Sequence, residues 1–221
     1  MFEHVNLDIP DIKTQNVDGK RYYVTSEGTK YPSITTVLSV LSKQGIMEWR
    51  KRVGAEVANA ISTKAARRGT HVHTMCEDLL NNKLDLKKFL PIDVEMFKTI
   101  EPIIIDKINR IHAQESALYS DYLGVAGRVD VIAEWEGRLS VIDFKTSSKP
   151  KKKEWISSYF QQTSAYAVMF EERTGIPVDQ LVVLIAVDNS SPQIFVERRD
   201  DHIKSCIDTI RIFNKENRST Q

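Results

Sequence analysis

Apolar residues follow a helical period through most of the first half of the chain, and an alternating period joins it in the second, so the two halves predict different architecture. Residues 1–20 are polar and predict irregular chain. Residues 20–25 and 27–31 predict a short hairpin with Gly28 in its turn, stopped by Pro32. Ser33 then stands at an N-cap position before Ile34, Val37, Leu38 and Leu41, and Gly45 is expected to break that helix. A second helix is predicted over 47–66, with Trp49, Val53, Val57, Ala60 and Ile61 as its apolar stripe. Gly69 is expected to interrupt it, a further helix runs through Leu80, and 81–88 reads as a polar loop. Over 94–112, Met96, Phe97, Ile100, Ile104, Ile108 and Ile111 point inward from one helix, with Pro102 kinking it or marking its true start.

From residue 115 the period changes. Residues 115–119, 124–135 and 138–145 predict three strands, and Glu136-Gly137 is a tight turn that makes the last two an antiparallel hairpin. A helix over 154–173 ends at Thr174-Gly175 and Pro177. The apolar run 181–188 predicts a buried central strand, 193–197 a further strand, and 200–213 a closing helix before a polar tail. The order predicts an α/β fold, a mixed central sheet flanked by helices with an N-terminal helical elaboration. The expected organisation is one domain, with the elaboration over 1–66, the core over 67–215 and the tail over 216–221.

The hairpin carries the candidate chemistry. Residues two apart in a strand share a face, so Asp143 and Lys145 project together, and pairing of the strands brings Asp130 into range. Grouped carboxylates repel and lose hydration, a cost that a bound cation offsets, and oxygen donors suit magnesium or manganese. The competing reading is an ordinary Asp143–Lys145 salt bridge at a strand edge. His73 and Glu77, four apart, share a helix face; a second histidine four residues after the first, as zinc proteases require, is absent.

Composition narrows the picture only slightly. The 221 residues suffice for a sizeable core, and the net charge of +1 gives no general affinity for nucleic acid. Basic residues nevertheless cluster over 43–52, 64–68 and 149–153, each a candidate phosphate contact or a solvated face. Cys76 and Cys206 make no disulfide framework, and two thiols are too few for an iron–sulfur cluster. The N-terminus reads as neither a signal nor a transit peptide, and no apolar run is long enough to span a bilayer, so a cytoplasmic, membrane-free protein of a bacterium or a phage-infected cell is expected.

Four ordered motifs change the weighting. Gly69-Thr70-His71-Val72-His73 with Glu77, Gly127-Arg128-Val129-Asp130, Asp143-Phe144-Lys145-Thr146, and Gln162 with Tyr166 together resemble the RecB-type branch of the PD-(D/E)XK nucleases. A closer likeness, to single-stranded DNA exonucleases of that branch, extends through Tyr31-Pro32-Ser33, Trp49-Arg50 and Glu115-Ser116-Ala117. The resemblance implies that His73, Asp130, Asp143 and the Phe144 carbonyl hold Mg2+ or Mn2+, and that Lys145 positions or activates the attacking water. It implies supporting or substrate roles for Glu77, Gln162 and Tyr166. It also implies a single-strand path over the N-terminal helices. Ser33, Trp49, Arg50, Arg52, Arg67, Arg68, Lys149, Lys151, Lys152, Lys153 and Trp155 are the candidate contacts. The implied function is metal-dependent exonuclease action on single-stranded DNA in replication, recombination or repair, by a monomer that works beside other replication or recombination proteins. A duplex-end or structure-specific nuclease of the same superfamily, and a DNA-end-binding protein that has lost catalysis, are the alternatives.

Overall fold

The structure, a computed structural model, describes residues 1–218. A small antiparallel sheet opens the chain: β1 (Lys13–Val17), β2 (Lys20–Val24) and β3 (Lys30–Pro32). The segment expected to be irregular thus contains a strand, paired to β2 through the Asp18-Gly19 turn, where both residues take positive φ. Ser33 caps α1 (Ile34–Leu38), its hydroxyl accepting from the Thr36 N–H. A 3-10 turn leads into α2 (Lys43–Val53), so Gly45 lies inside a helix and the break falls earlier, at Ser42.

Gly54, at φ 87°, separates α2 from α3 (Ala55–Leu80), which runs 26 residues through Gly69 without interruption and across the expected 66/67 division. Its C-terminal half buries Val72, Met75, Cys76 and Leu80, whereas Val57 and Ile61 of the expected stripe are about half exposed. Helix α4 (Pro91–Lys107) begins at Pro91, in the first turn where a missing N–H costs nothing, and carries Pro102 in its interior. It ends at Lys107. Ile108 and Ile111, which fit its periodicity, instead open the long strand β4 (Ile108–Ser120).

Strands β4, β5 (Val125–Trp135), β6 (Arg138–Ser147), β7 (Gln180–Val187) and β8 (Gln193–Arg198) form one sheet in sequence order. Every neighbouring pair is antiparallel except β6 and β7, which are parallel and joined across α5 (Ser157–Thr174). Glu136 and Gly137 both take positive φ, as the two-residue turn between β5 and β6 requires. One face of the sheet packs on α4 and the C-terminal half of α3, with Phe97, Ile100 and Ile104 wholly buried. The other packs on α1, α5 and α6 (Arg199–Arg218), whose last turns extend into the expected tail. Both faces are therefore covered, which explains why β7 reads as a continuous apolar run. Among the described residues no helix is long and apolar enough to cross a membrane.

Candidate active site

The site forms where β5 and β6 part. Their ladder runs from Trp135↔Arg138 to Val131↔Ile142 and goes no further. Beyond it the Phe144 N–H donates to Asp130 Oδ2 at 2.9 Å, so a side-chain oxygen takes the place of a backbone acceptor. The same oxygen lies 2.6 Å from His73 Nε2 on α3. On the other side of β5, Glu115 stands opposite Asp130, between the paired Gln114↔Val131 and Ser116↔Val129. Glu115 has φ 47°, an uncommon value for a residue with a side chain, and its Oε1 is 3.5 Å from His73 Nδ1.

One donor atom each from His73, Glu115 and Asp130 lies within 4.8 Å of the others, a spacing that suits a metal ion. Asp143 stands beside this group rather than in it. It is 1 % exposed, neither of its oxygens has an aligned hydrogen-bond donor, and Lys145 Nζ is its ion-pair partner. Burial, reinforced by the charge of Asp130, pushes the Asp143 carboxyl up to about 6, against the opposing pull of Lys145. For Lys145 burial pulls the ammonium down, but Asp143 and Asp130 outweigh it and the net direction is up. Burial likewise opposes charge on His73, yet its bonds to Asp130 and Glu115 raise it to about 10. These values belong to the protein without metal. A buried carboxylate lacking aligned donors, next to oxygen and imidazole donors that converge, is a set that a divalent cation fits.

The surroundings hold this geometry. Lys145 Nζ sits 5.1 Å from the centre of the Tyr159 ring. Gln162 Nε2 donates to Tyr166 Oη at 3.3 Å, and burial together with the Asp130 charge raises the Tyr166 phenol well above its ordinary range. A Cβ at Gly127 would lie 2.6 Å from Tyr166 Cε1 and 3.1 Å from Ile34 Cγ2, so only glycine lets α5 and α1 approach β5 here. A cleft of about 240 Å³, lined by Gly69, Val72, His73, Phe144, Lys145 and Thr146, opens beside these side chains.

The sequence profile of the PD-(D/E)XK nuclease superfamily matches residues 84–200. The chain belongs to this superfamily. The match takes in Glu115, Asp130, Asp143 and Lys145 and leaves out His73, which the fold brings to Asp130 from outside the matched segment. Human mitochondrial genome maintenance exonuclease 1 is 29 % identical over 178 residues, 73 % of this chain and 50 % of that protein. Its Xenopus tropicalis counterpart is 30 % identical over 152 residues, 66 % of this chain and 42 % of that protein. The chain thus spans half or less of these curated relatives. A solved structure from Eubacterium rectale overlays at TM-score 0.45 and 12 % identity, covering 67 % of this chain and 64 % of its own, a likeness too low to add to the assignment.

The remaining expected residues separate into groups. No ion pair joins Glu77 to His73 among the described residues; Glu77 lines a neighbouring cavity with Gln114 and Glu115, and Glu115 takes the second imidazole nitrogen. Glu115 lies in the Glu115-Ser116-Ala117 stretch of the family likeness but carries no assigned role there, because that role depends on the register of β4 against β5. Ser33 is buried, with its hydroxyl committed to Thr35 and Thr36, so it is a helix cap and offers no exposed contact. Arg68 is also buried: its guanidinium bonds Asp188 at 2.9 Å and lies 3.8 Å from Asp93, so it is not free to neutralise a phosphate. Arg52, Arg67, Lys149, Lys152 and Lys153 are exposed, and Trp49, Arg50 and Lys151 half-buried. Trp155 is 63 % exposed beneath Lys152.

Proposed function

We propose that this protein hydrolyses phosphodiester bonds of single-stranded DNA from an end, with Mg2+ or Mn2+ as cofactor. One observation carries the reading: His73, Glu115 and Asp130 converge beside the buried Asp143–Lys145 pair in a chain of a nuclease superfamily. His73, Glu115 and Asp130 would hold the metal, with Asp143 and the Phe144 carbonyl completing the oxygen donors. When bound, the metal supplies Lewis acidity that favours formation of the nucleophile and departure of the leaving oxygen.

The chain's own groups do the rest. Asp143 and Asp130 concentrate negative charge where a cation is needed and keep Lys145 protonated. The Lys145 ammonium, held by Asp143 and backed by the Tyr159 ring, faces the cleft and is placed to orient water and to meet the charge that grows on the phosphate. Phe144 closes the apolar side of the cleft with its ring 6.2 Å from that of His73.

Exonuclease action is the activity named in both relatives, and the exposed basic residues of α2 and the 149–153 loop suit a salt-sensitive strand path. Work in DNA replication, recombination or repair, as a cytoplasmic monomer, completes the proposal. Oligonucleotides labelled at either end, single-stranded and duplex, with Mg2+ or Mn2+, test it directly. Stepwise loss from one end of the single strand is expected. Cleavage of a circular single strand would replace the exonuclease reading with an endonuclease, and full activity in excess chelator would end the metal-dependent one.

A further inference from the structure

A second cavity, of about 210 Å³, adjoins the cleft that holds His73 and Lys145, and the two share Thr146. Its long wall is α3. Ile61, Lys64, Ala65 and Arg68 fall at i, i+3, i+4 and i+7, one face of the helix. One turn further on, Val72 enters the core. The apolar face of α3 thus runs off the core and on to a cavity, which is why Ile61 remains 50 % exposed although it keeps the periodicity of a packed residue.

The chemistry of this cavity does not suit a phosphate. Arg68 lies against two carboxylates, Asp188 and Asp93, and these spend its charge. Lys64 is then the one cation of the lining without an opposing carboxylate among the ion pairs of the described residues. Ile61 and Ala65 offer carbon surface, while Thr146, Ser147 and Ser148 offer hydrogen-bonding groups. A flat, neutral group with a polar edge matches these walls, and the neighbouring cleft takes the phosphate to which such a group is attached.

We propose that the cavity between α3 and the end of β6 holds an unpaired nucleobase of the nucleotide next to the cleaved phosphate. This rests on the nuclease reading and deepens it: a base seated here has left its partner strand, so the pocket itself selects single strands. Selection then resides in α3 beside the reacting groups, in addition to any path over the N-terminal helices.

Equilibrium binding tests the pocket, while digestion by the wild type tests the nuclease reading, so the two fail separately. Anisotropy of a labelled single-stranded oligonucleotide is followed in calcium, under conditions where gels show no turnover. A second oligonucleotide carries abasic residues throughout. Ala65→Phe, which fills the cavity, is expected to weaken binding of the normal strand by about fivefold or more and to leave the abasic strand unaffected. Ile61→Ser, at a half-exposed position that the fold tolerates, is expected to act in the same direction with a smaller effect. Equal weakening on both strands, no weakening on either, or wild-type binding that does not distinguish the two strands would each overturn the proposal.

Discussion

The two halves of α3 are built from one uninterrupted helix and yet obey different rules. From Arg68 onward it buries Val72, Met75, Cys76 and Leu80 against the sheet and delivers His73 to Asp130. Before Arg68 only Ala58 is buried, and α2, which packs beside it, has no buried residue at all. The first half keeps amphipathic spacing without a core to receive it. An apolar stripe is therefore evidence for a helix and for a contact, but not for what the contact is. At the C-terminal half the partner is the sheet; at the N-terminal half it is a cavity and basic surface.

The largest effects belong at the sheet end. Lys145→Ala is expected to lower the rate of strand digestion by about 10³-fold with the far-ultraviolet circular dichroism unchanged, since the lysine supports charge and not packing. Glu115→Gln is expected to weaken Mn2+ binding by roughly tenfold to a hundredfold in calorimetric titration. An unchanged affinity would remove Glu115 from the donor set.

Stability should divide along the same line. Met75→Ala, at a wholly buried position, is expected to cost about 2–5 kcal/mol in denaturant unfolding, whereas Val57→Ser should stay within about 0.5 kcal/mol. Comparable losses at both positions would show that the N-terminal half is packed after all.

Asp143 gives a smaller effect with a definite sign. Its folded carboxyl, at about 6, lies above its unfolded value, so the charged form costs the metal-free fold stability above that pH, and the cost fades as pH falls toward 4. Asp143→Asn is thus expected to melt higher than wild type in chelator at pH 7–8, with the gap closing toward pH 4. A gap that widens on acidification would reverse the assignment. Gly127→Ala should cost about 1–3 kcal/mol, because its methyl group meets the Tyr166 ring, and the melting temperature reads this directly.

Legibility from sequence followed the range of the interactions concerned. The β5–β6 hairpin was visible because Glu136-Gly137 fixes both its turn and its register locally. The end of α4 was not, because Ile104, Ile108 and Ile111 satisfy the helical period equally well on either side of Lys107, and the pairing of β4 with β5 decides the boundary. Gly45 and Gly69 looked like breaks, yet helix interiors accept glycine at a cost of about 1 kcal/mol, and surrounding contacts outweigh it. Asp130, Asp143 and Lys145 could be singled out because two strands and one turn carry them. The role of Glu115 beside His73 and the pairing of Arg68 with Asp188 arise from contacts between distant segments, which no local pattern reports.

The bond from the Phe144 N–H to Asp130 Oδ2 has a consequence for how this centre can change over evolution. One oxygen atom both closes the sheet where its strands part and faces His73 on α3. Loss of that carboxylate removes a donor from the proposed metal site and also leaves a peptide group without its acceptor. A descendant that abandons catalysis still needs an acceptor at residue 130, which aspartate or asparagine supplies, so the aspartate can outlast the activity as a structural relic. An intact Asp130 is consequently weak testimony that a related chain is still an enzyme. Asp143 and Lys145, which close no part of the backbone, are the residues to inspect.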